Sequence, residues 1–378
     1  MLTVHKYYLY ILFLLLGIGS LQAQDERFGI IGKHAIEVHY QFGRIIPHNS
    51  RFKTPITGYT HGFELSYYYQ ALGKKAWQRK LHCPEVGGSF YFAYNADQKY
   101  FGNVYGLVGF AKFWIVRSKF VDFYVRAGTG LVLTPTHFNL VKNPDNVAIG
   151  SLVNSMDELR FGLDFKPTSQ VQIGVGLTFT HYSNASIQKP NLGVNMPALT
   201  VGIRYFPKVS KDYSYNREKW NKPKKRHEVM FKLGVGVQEK DTYNGPKYPV
   251  YVATGAYAYY TSIVNKVSVG ISSEFNQGAY DFYGYYGNDT KYRRSTSAMN
   301  LSIFVGDEIM MGKVGLCFAA GAYVFNPRKD PPVYAKLGLN YYFVAVGKNK
   351  TTKFFIGSTL KTHFLIAQFF EMSTGVVF

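Results

Sequence analysis

His181 and Ser183 stand two residues apart in the run VQIGVGLTFTHYS, Val171–Ser183. A serine hydroxyl becomes an effective nucleophile when a neighbouring base takes its proton, and an imidazole is well suited to that task at neutral pH. The run alternates strictly: Val171, Ile173, Val175, Leu177 and Phe179 fall on one side, Gln172, Gly174, Gly176, Thr178 and Thr180 on the other. A period of two is that of a β-strand. Continuing the count puts His181 and Ser183 on the apolar side, at the end of the stripe. Residues i and i+2 share a face about 7 Å apart, within reach of each other's side chains. In a membrane barrel the apolar face looks into lipid, so this is where an enzyme acting on lipid would carry a base and a hydroxyl.

A barrel needs many such strands, and the chain supplies them. Strands are expected in the first half over residues 35–45, 60–69, 85–94, 104–114, 120–133, 156–165, 171–183 and 197–206. The second half repeats the pattern over 229–238, 250–260, 267–275, 298–305, 314–325, 333–342, 353–360 and 368–378. Most approach the length of about 9–11 residues that a tilted strand needs to cross a bilayer. The stretch around residue 160 shows both faces: Leu159, Phe161, Leu163 and Phe165 alternate with Glu158, Arg160, Gly162 and Asp164. Apolar groups facing lipid and charges facing a lumen fit a transmembrane barrel.

Composition agrees. The 378 residues include 32 Tyr, 30 Phe and 37 Gly, the aromatic and glycine excess of outer-membrane barrels. Residues 1–24 read as a signal peptide, with a basic start at His5 and Lys6, an apolar run and a cleavage site near Ala23 or Gln24. That run is short for a bilayer-spanning helix, and no later segment offers the roughly 20 apolar residues a membrane helix requires. The net charge of +20 would ordinarily suggest nucleic acid. Export and strand patterning argue against it and point to phosphorylated lipopolysaccharide and outer-membrane lipid as partners. Many of the basic residues are expected in loops and in a linker at 208–226, where Lys222, Lys224, Lys225 and Arg226 cluster. Cys83 and Cys317 are too few and too distant to define a disulfide framework or a metal site, and the histidines lack zinc-binding spacing. No metal and no cofactor is expected.

The halves resemble one another. FYVRAGTGLVLTP at 123–135 is echoed by LCFAAGAYVFNP at 316–327, and LTFTHYSNA at 177–185 by STLKTHFLIA at 358–367. The second echo sets Thr362, His363 and Phe364 against Thr180, His181 and Tyr182, with Leu365 in the place of Ser183. The copy lacks a nucleophile.

At THYSNASIQKPNLGVN, 180–195, the sequence resembles the outer-membrane lipid A 3-O-deacylases of the PagL type. The resemblance is carried by His181-x-Ser183-Asn184-Ala185, then Pro190-Asn191 and Gly193, and extends more loosely over residues 28–206. It implies an eight-stranded barrel bearing a serine esterase site on its exterior. Ser183 would be the nucleophile, His181 its general base and Asn191 a stabiliser of the oxyanion, with Asn184 and Gly193 in the same oxyanion and substrate loop. The family pattern then has a Glu that orients the histidine, and here that position is Asn195. Asn195 can accept a hydrogen bond from the ring N–H, but it brings no full charge to stabilise an imidazolium. Asn195 sufficing, a substitute carboxylate such as Glu158 or Asp164, and a weakened remnant remain open; the lumen-facing placement of both carboxylates argues against the second.

The expected fold is all-β: an antiparallel transmembrane β-barrel, as two eight-stranded units from a diverged duplication rather than one barrel of about 14–16 strands. The small residues Gly315, Cys317, Ala319 and Gly321 on the inward side of one strand favour narrow units. Residues 25–207 form the deacylase-like unit, 208–226 a basic linker and 227–378 a degenerate second barrel. With a periplasmic N-terminus, the seventh strand runs outward and His181 and Ser183 reach the outer leaflet, residues 184–196 forming an external loop. The expected function is removal of an ester-linked acyl chain from lipid A or a related outer-leaflet lipid. The competing reading is an inactive structural or channel-forming barrel in which HYS is a relic. The number of copies in the assembly is left open.

Overall fold

The structure, a computed structural model, describes residues 32–48, 50–209, 215–216, 218–219, 226–239, 243–284, 291–346, 352–364 and 366–378. The expected signal peptide and most of the expected linker lie outside them. The described residues form two closed antiparallel barrels of eight strands each. The first comprises β1 His34–Gly43, β2 Thr60–Gln70, β3 Glu85–Asn95, β4 Asn103–Val116, β5 Val121–Leu133, β6 Val153–Phe165, β7 Val171–Ser183 and β8 Val194–Tyr205. It closes where β8 pairs with β1, as in Ile36 opposite Tyr205. The second comprises β9 His227–Glu239, β10 Lys247–Ser262, β11 Asn265–Asn276, β12 Met299–Met311, β13 Val314–Phe325, β14 Val333–Val346, β15 Thr352–His363 and β16 Ile366–Val377, closing between β16 and β9. Among the described residues three short helices, α1 Ala76–Lys80, α2 Gln277–Asp281 and α3 Arg294–Ser297, sit in connections.

The alternation of apolar and polar residues closes the strands around polar interiors. Outward residues such as Leu107, Leu177, Leu199 and Ile203 are exposed, Leu177 by 62% and Leu199 by 63%, as expected of a wall that meets hydrocarbon. The first lumen is filled by charged side chains. Glu64 accepts from both Arg126 and Arg160. Arg204 reaches Glu37 at 3.2 Å and Glu85 at 2.9 Å, and Lys112 pairs with Asp164. A buried charge is tolerated when it is paired in this way. Glu158 and Asp164 face this lumen, as the alternation predicts. The second lumen is held by Lys266 with Glu308, Lys361 with Glu274 and Lys336 with Glu371. Its small residues leave a cavity of about 90 Å³ lined by Cys317, Ala319 and Lys266 among others, so that interior is not fully packed.

The sixteen strands fall where the period-two runs predict, and several run further than expected: β6 starts at Val153, β10 at Lys247, β14 ends at Val346 and β15 at His363. β12 continues through Gly306-Asp307-Glu308 to Met311. β8 starts at Val194 rather than at Pro197, which moves Asn195 out of the expected loop and into the sheet. Pro197 is compatible with this because it is called on only to accept: Arg44 N donates to its carbonyl at 3.3 Å, and beyond it Ile46 N donates to the Asn195 carbonyl at 2.9 Å. The duplication is also structural. The 123–135 and 316–327 echoes lie on the fifth strand of each barrel, β5 and β13. Both barrels open with a histidine ring against two tyrosines of the next strand: His34 with Tyr67 and Tyr69, His227 with Tyr257 and Tyr259.

At one end of the first barrel the connections 44–59, 96–102, 134–152 and 184–193 pack together. Thr54 Oγ1 donates to the Asp145 carbonyl, and Asn143 and Asn146 both donate to the Tyr100 carbonyl. Beneath them lies an apolar core that includes Phe52, Phe101, Ile149, Met156, Tyr182, Val194 and Met196. Two of the three connections at the opposite end, 117–120 and 166–170, are short turns.

Candidate active site

Tyr182 and, across the ladder, Val194 and Met196 point into that core. Their packing fixes the backbone of β7 and β8. The intervening residues His181, Ser183 and Asn195 therefore point outward. His181 pairs directly with Asn195 across β7 and β8. Its Nδ1 lies 2.6 Å from Asn195 Oδ1, and its Nε2 lies 3.1 Å from Ser183 Oγ. An oxygen acceptor at Nδ1 places the ring proton there and leaves the Nε2 lone pair towards the serine hydroxyl. Ser183 is only 5% exposed, and Ser155 Oγ donates to its carbonyl at 2.9 Å.

The loop that follows is built around the remaining motif residues. The Asn184 backbone N–H donates to Asn191 Oδ1 at 2.9 Å. Asn184 Nδ2 donates to Ser151 Oγ and to the Gln188 carbonyl, both at 2.8 Å. Asn184 thus has its donors committed to the loop, while Asn191 uses its oxygen and retains an NH₂ group. Gly193 has φ +80° and lies against the His181–Ser183 pair: a Cβ there would stand 2.7 Å from His181 Cε1. Glycine is needed both for the left-handed backbone and for the close approach. Its N–H donates to the Ala148 carbonyl at 2.9 Å, tying the loop to the β5–β6 connection. The six residues singled out in the sequence converge on one place.

One carboxylate beside the histidine escaped the sequence reading. Asp157 on β6 is the direct cross-strand partner of His181 on the side opposite Asn195. Directly paired residues have Cβ atoms about 4.5–5.5 Å apart. The signal was present, because extending the alternation of β6 back from Leu159 puts Asp157 and Ser155 on the outer face. The second barrel's echo is corrected by the structure. His363 is buried, with Nδ1 2.8 Å from the Val333 carbonyl and Nε2 3.1 Å from Gln368 Oε1. It faces the lumen while His181 faces outward, so the two are not equivalent; an offset of one residue in a strand reverses the face. Leu365 lies outside the described residues. No group of three or more metal-ligating side chains is assembled among the described residues.

The exterior apolar walls and the charged lumens define an outer-membrane β-barrel, and the outward-facing hydroxyl–imidazole pair is its candidate site. Residues 61–204 match the family model for lipid A 3-O-deacylase (PagL), and residues 227–378 match that for the acyloxyacyl hydrolase C-terminal domain. The chain belongs to the PagL-type lipid A deacylase family. It is 28% identical over 193 residues, 51% of this chain and 92% of the relative, to the lipid A deacylase PagL of Bordetella bronchiseptica. Among solved structures it is similar to the outer membrane enzyme PagL, with 17% identity and a TM-score of 0.33 over 44% of this chain and 97% of that one. Neisserial surface protein A gives 13% identity and a TM-score of 0.33, over 46% of this chain and 97% of that one.

Proposed function

We propose that the protein is a serine esterase of the outer leaflet that removes an ester-linked acyl chain from lipid A or a closely related lipid. The observation that carries this reading is the chain of contacts Asn195 Oδ1–His181–Ser183 Oγ on the lipid-facing side of β7 and β8. Ser183 Oγ attacks the ester carbonyl carbon as its proton passes to His181 Nε2. The carbonyl oxygen becomes an oxyanion, and the NH₂ of Asn191 is the donor left free to receive it. The intermediate collapses, the sugar-side alkoxide leaves with the proton held by His181, and the acyl group stays on Ser183. Water, deprotonated by His181, then releases the fatty acid and restores the serine. Asn184 acts as a brace of the loop, its donors being committed. Asp157 supplies, from the neighbouring strand, the negative charge that Asn195 lacks.

Lipid A mass spectrometry on cells producing the wild type or Ser183→Ala tests the reading. The wild type should yield a species lighter by one acyl chain, and Ser183→Ala should not. An identical acylation pattern in the two would leave an inactive barrel as the better description.

A further inference from the structure

The site loop is gripped from two directions, and only one of them is its own barrel. On the inner side, Leu192 N and Gly193 N donate to the Val147 and Ala148 carbonyls. On the other side the contacts come from the second barrel. Glu239, the last residue of β9, donates its N–H to the Ser186 carbonyl at 3.0 Å and accepts the Lys189 N–H on its carboxylate. Ser186 Oγ donates to the carbonyl of Ala367, at the start of β16, at 2.9 Å. β9 and β16 are the strands that close the second barrel on itself, so a single seam of that barrel meets the loop.

The point of contact is the strained part of the loop. Ala185 and Ser186 have φ of +53° and +67° in succession, a region that L-residues hold only when their surroundings impose it. Glu239 is 1% exposed. The second barrel's lumen carboxylates Glu228, Glu274, Glu308 and Glu371 meet lysines of their own barrel or, for Glu274, an arginine as well. Glu239 instead reaches a backbone amide of the other barrel. Ser183 precedes this turn by two residues, and Asn191 and Gly193 follow it. A shift of the turn would move the Asn191 side chain off the Asn184 amide and Gly193 off His181.

Resting on the esterase reading above, we propose that the second barrel is a working part of the active site, with Glu239 as the positioning residue that sets the 184–193 loop around Ser183. Full-length Glu239→Ala, Glu239→Gln and Ser186→Ala, each verified as folded by heat-modifiable migration, are compared with the wild type. Two readouts are taken: kcat and KM for acyl release, and amide hydrogen exchange across residues 184–193. Glu239→Ala should lower kcat by about 10- to 100-fold with KM little changed and speed exchange in the loop. Glu239→Gln keeps an acceptor for the Lys189 amide and should restore both readouts. Ser186→Ala gives a smaller change of the same kind and decides the matter should Glu239→Ala fail to fold. Wild-type kcat and wild-type loop exchange in the folded alanine variants would overturn the proposal. If wild type and Ser183→Ala alike release no acyl chain, the esterase reading falls, while the exchange measurement still decides whether Glu239 holds the loop.

Discussion

At the scale of single residues, the site is a hydroxyl, an imidazole and an amide in hydrogen-bonded sequence, with a carboxylate one strand away. An amide at Nδ1 fixes the tautomer and the ring orientation but supplies only a dipole to the imidazolium. Asn195→Ala should therefore lower kcat by about 10²-fold or more, whereas Asn195→Glu, which adds a full charge at the same contact, should raise it; single-turnover acyl release reads both. If Asp157 provides the missing charge, Asp157→Asn lowers kcat by about 10-fold at unchanged KM in the native background. It has a smaller effect in the Asn195→Glu background, because the two carboxylates serve one charge. Equal effects in the two backgrounds would rule that role out. Gly193→Ala forces a methyl group to 2.7 Å from His181 Cε1 at φ +80°. It should cost about 1–2 kcal/mol of stability and displace the imidazole, with activity falling more than stability does. The residue types of this site were legible because each is constrained by chemistry: a base and a hydroxyl on one strand face, and a glycine where no side chain fits. Asp157 was legible by the same period-two count, and so was the inward face of His363, because β15 alternates without a break and Lys361, two residues before it, reaches Glu274 in the lumen.

At the scale of elements, each strand is specified twice, by lipid outside and by ion pairs inside. Glu64 lies between two arginines, both fully buried. Removing it leaves two guanidinium groups without that carboxylate, and Glu64→Ala should destabilise the first barrel by about 3–5 kcal/mol. Urea unfolding in lipid vesicles followed by heat-modifiable migration measures the difference. An outward-facing substitution of similar size, Leu107→Ala, tests a different term: it removes lipid contact without stranding a charge and should cost less. Strand number and faces were readable since an error of one residue would put Glu158 or Arg160 into hydrocarbon. The strand ends were less readable. Pro197 marks the expected start of a strand, but the ladder with β7 continues from Phe179 opposite Pro197 to Tyr182 opposite Val194, so β8 begins at Val194 and carries Asn195.

At the scale of the whole molecule, the two barrels share an orientation, since the end of β9 and the start of β16 meet the loop that follows β7. If that end is extracellular, a cysteine at Val141, which is 87% exposed in the β5–β6 connection, reacts with an impermeant maleimide on intact cells. A cysteine at Phe120, 69% exposed in the β4–β5 turn, reacts only after the outer membrane is opened. The reverse pattern would place the serine in the inner leaflet. With one lumen filled by paired charges and the other holding a cavity of about 90 Å³, porin-like conductance steps are not expected in planar bilayers. The sequence by itself determined the strands and their faces, because period-two alternation is local and survives without knowledge of partners; the internal repeat and the break at 208–226 favoured two eight-stranded units over one larger barrel, and the closures of β8 on β1 and of β16 on β9 decided it. The tertiary structure alone decided which strands lie beside His181, which donors of the 184–193 loop are already committed, and that Glu239 of the second barrel closes on that loop. Those are contacts between residues tens of positions apart, and their geometry depends on barrel closure and docking rather than on any local pattern.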